Sequence, residues 1–63
     1  MKIDSEKIRK TIKDQGLTIE QAAENMEISR QGLQMILKNE STLLSKVDQI
    51  AKGIGLYPWD ILI

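Results

Sequence analysis

Sixty-three residues make one domain, near the lower size limit for folding alone, so its core must be compact and helical or be completed by a second copy. The absence of cysteine and histidine excludes disulfides and thiolate metal sites, and it removes the commonest general base. Nine basic and nine acidic residues cancel, so any contact with nucleic acid must depend on where the charges sit.

Ile3-Asp4-Ser5-Glu6-Lys7-Ile8 opens the first helix, with Asp4 as its cap and Ile3 stapled to Ile8 across the first turn. Ile8 and Ile12 face inward, while Lys7, Arg9, Lys10 and Lys13 form a basic cluster that is either a solvated face or a phosphate flank. Gly16 ends the helix in a left-handed conformation. Thr18 and Gln21 make a capping box for a second helix over about 19–26, with Ala22, Ala23 and Met26 on its inner face. Glu27-Ile28 is a tight turn whose Ile28 points inward, and Ser29 caps a third helix over about 30–38. Leu33, Ile36 and Leu37 form that helix's buried stripe, leaving Arg30, Gln31, Gln34, Met35 and Lys38 outside. Gly32 either admits a close neighbour or sits in a tolerant helix.

Asn39 suits the left-handed position after the third helix, and Ser41 or Thr42 caps a fourth. Leu43, Leu44, Val47, Ile50, Ala51 and Ile54 give the fourth helix a broad apolar face, which Gly55 closes and Leu56 follows inward. Pro58 begins a last short turn with Asp60 at its third position. The ending, Trp59-Asp60-Ile61-Leu62-Ile63, is apolar where chain ends are usually polar. Two readings of it are compatible. Trp59 and Leu62 cover the core, or Tyr57, Trp59, Ile61 and Ile63 form a twofold dimer patch, with Leu62 inside.

A capped short helix, a buried turn residue and a second helix with an Arg/Gln-rich outer face resemble the helix-turn-helix of the Cro and phage-repressor (XRE-like) family. The similarity runs from Ile8 to Leu62 and is carried by Ala23, Ile28, Leu33 and Ile36, then Ile50-Ala51 and Gly55-Leu56. It implies an all-α, lambda-repressor-like bundle of about five short helices, with the helix-turn-helix at the second and third. Five positions depart from the family's habit. Glu27 and Asn39 stand where the family usually or often has glycine, and Ile19 where it commonly has a phosphate-binding glutamine. Ile12 and Leu37 replace a frequent Arg–Glu pair, and they are expected to touch, since packed apolar groups avoid the desolvation of a buried ion pair.

The function that the resemblance implies is sequence-specific DNA binding by a repressor of the kind common in phages and mobile elements, with the third helix in the major groove of double-stranded DNA. Base contacts would come from Arg30, Gln31, Gln34 and Met35. Backbone contacts would come from Thr18, Ser29, Lys38, Asn39 and Lys46. A homodimer on a partly palindromic operator is expected. The competing reading is a helix-turn-helix module that binds another regulator, favoured by the zero net charge, the acids around the second helix (Asp14, Glu20, Glu24 and Glu27) and the apolar ending. No phosphate-cradling glycine loop or nucleophile signature is present, so no enzyme activity, cofactor, metal or small-molecule substrate is expected. No apolar run approaches a membrane span and Met1-Lys2-Ile3-Asp4 starts no secretory signal, which points to the cytoplasm.

Overall fold

Side-chain caps decide where the first three helices begin. In the computed structural model, which describes residues 1–63, these are α1 (Ser5–Asp14), α2 (Ile19–Asn25) and α3 (Arg30–Asn39). Asp4 accepts from the Lys7 N–H at 3.0 Å, and Ser29 from the Gly32 N–H at 2.9 Å. The α2 box is complete, with the Gln21 N–H donating to Thr18 at 3.1 Å and the Thr18 N–H to the Gln21 side chain at 3.0 Å. Each such cap stabilises its helix by about 1 kcal/mol.

The fourth helix, α4 (Leu44–Gly53), starts later than its sequence suggests. Neither Ser41 nor Thr42 caps it; Leu43 stands at the cap position with no side-chain hydrogen bond. The reason is non-local. Lys2 bridges Ser41, and the Thr42 N–H donates to the Met1 carbonyl at 2.9 Å while the Met1 amine donates to the Thr42 carbonyl at 2.7 Å. Residues 41 and 42 are thereby held in a ladder and cannot begin a helix. The delay turns Leu43 and Leu44 outward, 66% and 70% exposed, against the expectation that both face the core. Thr42 is buried instead, and its hydroxyl has no partner.

The same N-terminal segment pairs on its other side with the end of the chain. Ile3 bridges Leu62, the Asp4 N–H donates to the Ile61 carbonyl at 2.7 Å, and the Ile63 N–H to the Lys2 carbonyl at 3.3 Å. This pairing follows α5 (Pro58–Ile61) and draws Ile61 fully into the core. Ile61 therefore cannot belong to a dimer surface. Trp59, two residues earlier on a four-residue helix, is 70% exposed rather than covering the core. Leu62 is half-buried against it.

One cluster of buried apolar side chains joins all five helices and includes both Ile12 and Leu37. Ser5 reaches the end of α3, its hydroxyl donating to the Leu37 carbonyl at 2.8 Å in a buried bond.

Left-handed residues end the first four helices. After α1 and α4 these are Gly16 (φ +69°) and Gly55 (φ +73°), as the sequence suggests. After α2 and α3 they are Glu27 (φ +59°) and Glu40 (φ +54°). Asn39 is not the left-handed residue; it completes α3, and Glu40 takes the turn one position later. A residue with a Cβ is disfavoured there by roughly 1–2 kcal/mol. Both strained residues flank the same helix.

Candidate nucleic-acid interface

The α2–α3 unit is built by local hydrogen bonding around Glu27. The Ile28 N–H donates back to the Ala23 carbonyl and the Glu27 N–H to the Glu24 carbonyl, both at 3.0 Å. This is a Schellman ending with glutamate at the residue that most often is glycine. The turn lets Ile28 pack against the core beside Ala23, and Ala22 and Ala23 are fully buried where α2 meets α3. Leu33 and Leu37 are buried and Ile36 packs half-buried, so the register of α3 is as the apolar stripe indicates.

The opposite side of α3 is free. Arg30, Gln31, Gln34, Met35 and Lys38 are all exposed, Met35 by 59%. The helix itself carries Arg30 and Lys38 and no acidic residue, so its outer face is basic although the whole chain is neutral, and the exposed acids Glu27 and Glu40 stand just beyond its two ends. Two arginine- or glutamine-type forks near its first turn, and an uncharged glutamine and methionine one turn on, can reach base edges in a major groove. At Gly32 a Cβ would lie 3.0 Å from the Ser29 hydroxyl, so the close neighbour admitted there is the cap itself.

The residues expected at the phosphate backbone fall into separate places. Ser29 and Lys46 line one groove together with Ile28, Gly32, Ile36 and Leu43, and the acidic Glu27 stands at the same groove. Thr18 lies in another, between α1 and α2, shared with Arg9 and Lys13. The basic cluster of α1 thus divides. Arg9 and Lys13, one turn apart, face the same concavity as the Thr18 cap, whereas Lys7 and Lys10 do not line it. Ile19 lines this groove too and offers no hydrogen bond where a polar side chain would. Lys38 and Asn39 are exposed at the far end of α3, about 13–15 Å along its axis from Ser29.

Of the residues expected at a dimer surface, Tyr57 and Trp59 stay together. Their rings stack at 4.7 Å and 6° between planes, both exposed. Ile63 is 77% exposed beside Lys2, and Ile61 is removed to the core. Sequence reasoning missed the outward Leu43 and Leu44, because nothing local announces the ladder that turns them. It also missed Gln49 and Gly53, whose roles depend on α4 lying against the end of α2.

A family model described as helix-turn-helix matches residues 8–62. No match was found among curated proteins or among solved structures.

Proposed function

This chain belongs to the Cro- and phage-repressor-type (XRE-like) helix-turn-helix family, whose members are DNA-binding regulators, and from that premise we propose that it is a cytoplasmic, sequence-specific repressor that reads an operator with α3. The observation that carries this reading is the outer face of α3, exposed, free of acids and furnished with Arg30, Gln31 and Gln34. Arg30 pairs with guanine N7 and O6, Gln31 or Gln34 with adenine N6 and N7, and Met35 touches a thymine methyl. Ser29 and Lys46 hold one stretch of phosphates, Thr18 with Arg9 and Lys13 a second, and Lys38 and Asn39 a third.

With a longest dimension of 25 Å, one chain covers one half-site, since half-site centres lie about 34–36 Å apart. Two copies meeting through the Tyr57–Trp59 stack and Ile63 give the reading its dimer. Selection from a random duplex library at low salt tests it, run beside the double variant Arg30→Ala/Gln31→Ala. The parent enriches a partly palindromic sequence and the variant does not. Enrichment by neither protein would defeat the proposal and favour the second reading, docking on another protein, for which the exposed Leu43, Leu44 and Trp59 speak.

A further inference from the structure

Helix α4 supplies no base-reading residue in the function proposed above, yet two of its side-chain positions end on the turn that aims α3. Gln49 Nε2 donates to the Met26 carbonyl at 2.6 Å and to the Glu27 carbonyl at 3.2 Å. Neither carbonyl accepts from a backbone N–H, so Gln49 is their donor within the chain. One turn further on, Gly53 lies against the backbone of Met26. A Cβ on Gly53 would sit 2.9 Å from Met26 Cα and 3.0 Å from its nitrogen. Positions 49 and 53 are four apart and share a face of α4. Together they form a seat, flat at Gly53 and hydrogen-bonding at Gln49, for the end of α2.

What rests on that seat is the strained residue. Glu27 holds φ at +59° without the freedom of glycine, and its return toward negative φ would swing α3 relative to α2 as a rigid arm. A few tenths of an ångström and some ten to twenty degrees are what a recognition geometry tolerates. The α2–α3 Schellman bonds fix the N–H side of the turn, and only Gln49 fixes its carbonyl side. Resting on the DNA-reading assignment of α3, we propose that Gln49 is a positioning residue for recognition: its amide holds the carbonyls of Met26 and Glu27 and so sets the direction in which α3 presents Arg30 and Gln31. The seat does for a glutamate turn what a glycine turn achieves without help.

Gln49 is therefore required while residue 27 is glutamate and dispensable once it is glycine. The test is a cycle of four proteins: parent, Gln49→Met, Glu27→Gly and the double variant. Methionine keeps the length of the side chain and removes its donor. Residual dipolar couplings of the α2 and α3 amides give the angle between the helices without DNA. Affinities for the selected operator, for an operator altered under Arg30 and Gln31, and for unrelated duplex give the selectivity. Gln49→Met is expected to change the α2–α3 angle and to lower the ratio of correct to altered operator about tenfold, within what one bidentate base contact supplies. Affinity for unrelated duplex stays the same, which a general loss of folded protein would not allow. Adding Glu27→Gly restores both the angle and the ratio. An unchanged angle in Gln49→Met, or an equal loss whether residue 27 is glutamate or glycine, would overturn the proposal. A parent that selects no sequence, with the angle still dependent on Gln49, would overturn the DNA reading alone and leave the positioning role standing.

Discussion

Glu40 closes α3 in the left-handed region at φ +54°, and replacing it by glycine tests whether that strain is real. The backbone bonds at this residue do not depend on its side chain. Its N–H donates to the Ile36 carbonyl and its carbonyl accepts from the Ile3 N–H at 3.0 Å. The side chain itself is exposed and makes no hydrogen bond. Removing Cβ relieves about 1 kcal/mol or somewhat more. An acid at a helix C-terminus faces the negative end of the macrodipole, and removing it adds roughly 0.3–0.5 kcal/mol. The extra freedom of glycine in the unfolded chain takes back about 0.5 kcal/mol. The balance is a gain of about 1 kcal/mol, which in a domain of this size raises Tm by roughly 4–8 °C. Glu40→Gln separates the contributions, because it removes the charge and keeps the strain. It should gain only about 2 °C, and that gain should vanish at high salt while the glycine gain persists. Circular dichroism melts of the three proteins read both effects. A glycine variant no more stable than the glutamine variant would refute the assignment of strain at this position.

Gly53→Ala is expected to destabilise by about 1–3 kcal/mol in urea unfolding, because the new methyl meets Met26 Cγ and, behind it, the Met26 backbone, which cannot swing aside as a side-chain end could. Helix propensity alone predicts the opposite sign, a gain of about 1 kcal/mol, so the direction decides between them. Thr42→Val keeps the shape of the side chain and removes a buried hydroxyl without a partner. It should leave stability unchanged or raise it by up to about 1 kcal/mol, and a clear loss in the same assay would mean that the hydroxyl is satisfied. Trp59→Lys should leave thermal stability within about 0.5 kcal/mol of the parent while weakening self-association in sedimentation equilibrium. Ile61→Ala, two positions away and fully buried, should instead cost about 2–5 kcal/mol of stability.

The parts of this structure that were legible in the sequence are those whose causes lie within a few residues. Asp4, Thr18 with Gln21, and Ser29 cap helices because the N–H groups they satisfy are three positions away. The inward set of α3 follows from helical period alone. Gly16 and Gly55 announce their turns by what they lack. Glu40 misleads for the converse reason, since residue preference points to Asn39 while the hydrogen bonding of the last turn selects the next position. The outward turn of Leu43 and Leu44 is not legible locally, because the fate of residues 41 and 42 is set some forty positions away, at Met1 and Lys2. Periodicity leaves Trp59 open to either side and points Ile61 outward, because a helix of four residues is too short to say which side faces in. At the interface, α3 could be read from sequence and its support could not. A glutamine that donates across two helices looks like any other polar residue until the packing is known.

The pairing of Lys2 with Ile63 has a topological consequence. The two ends of the chain run antiparallel and lie within one hydrogen bond of each other, so the covalent break between them is nearly arbitrary. Joining Ile63 to Met1 through a short Asn-Gly-containing linker would close a hairpin, and the chain could then be reopened elsewhere. Of the exposed connections, the one between α1 and α2 at Gly16 is a candidate, because its backbone bonds are local and the one long-range bond beside it, from Gln15 to the Ile54 carbonyl, comes from a side chain. Such a permuted chain would carry its new ends beside Arg9 and Lys13 and leave α3 untouched. The order in which the helices are written is then separable from the way they are assembled.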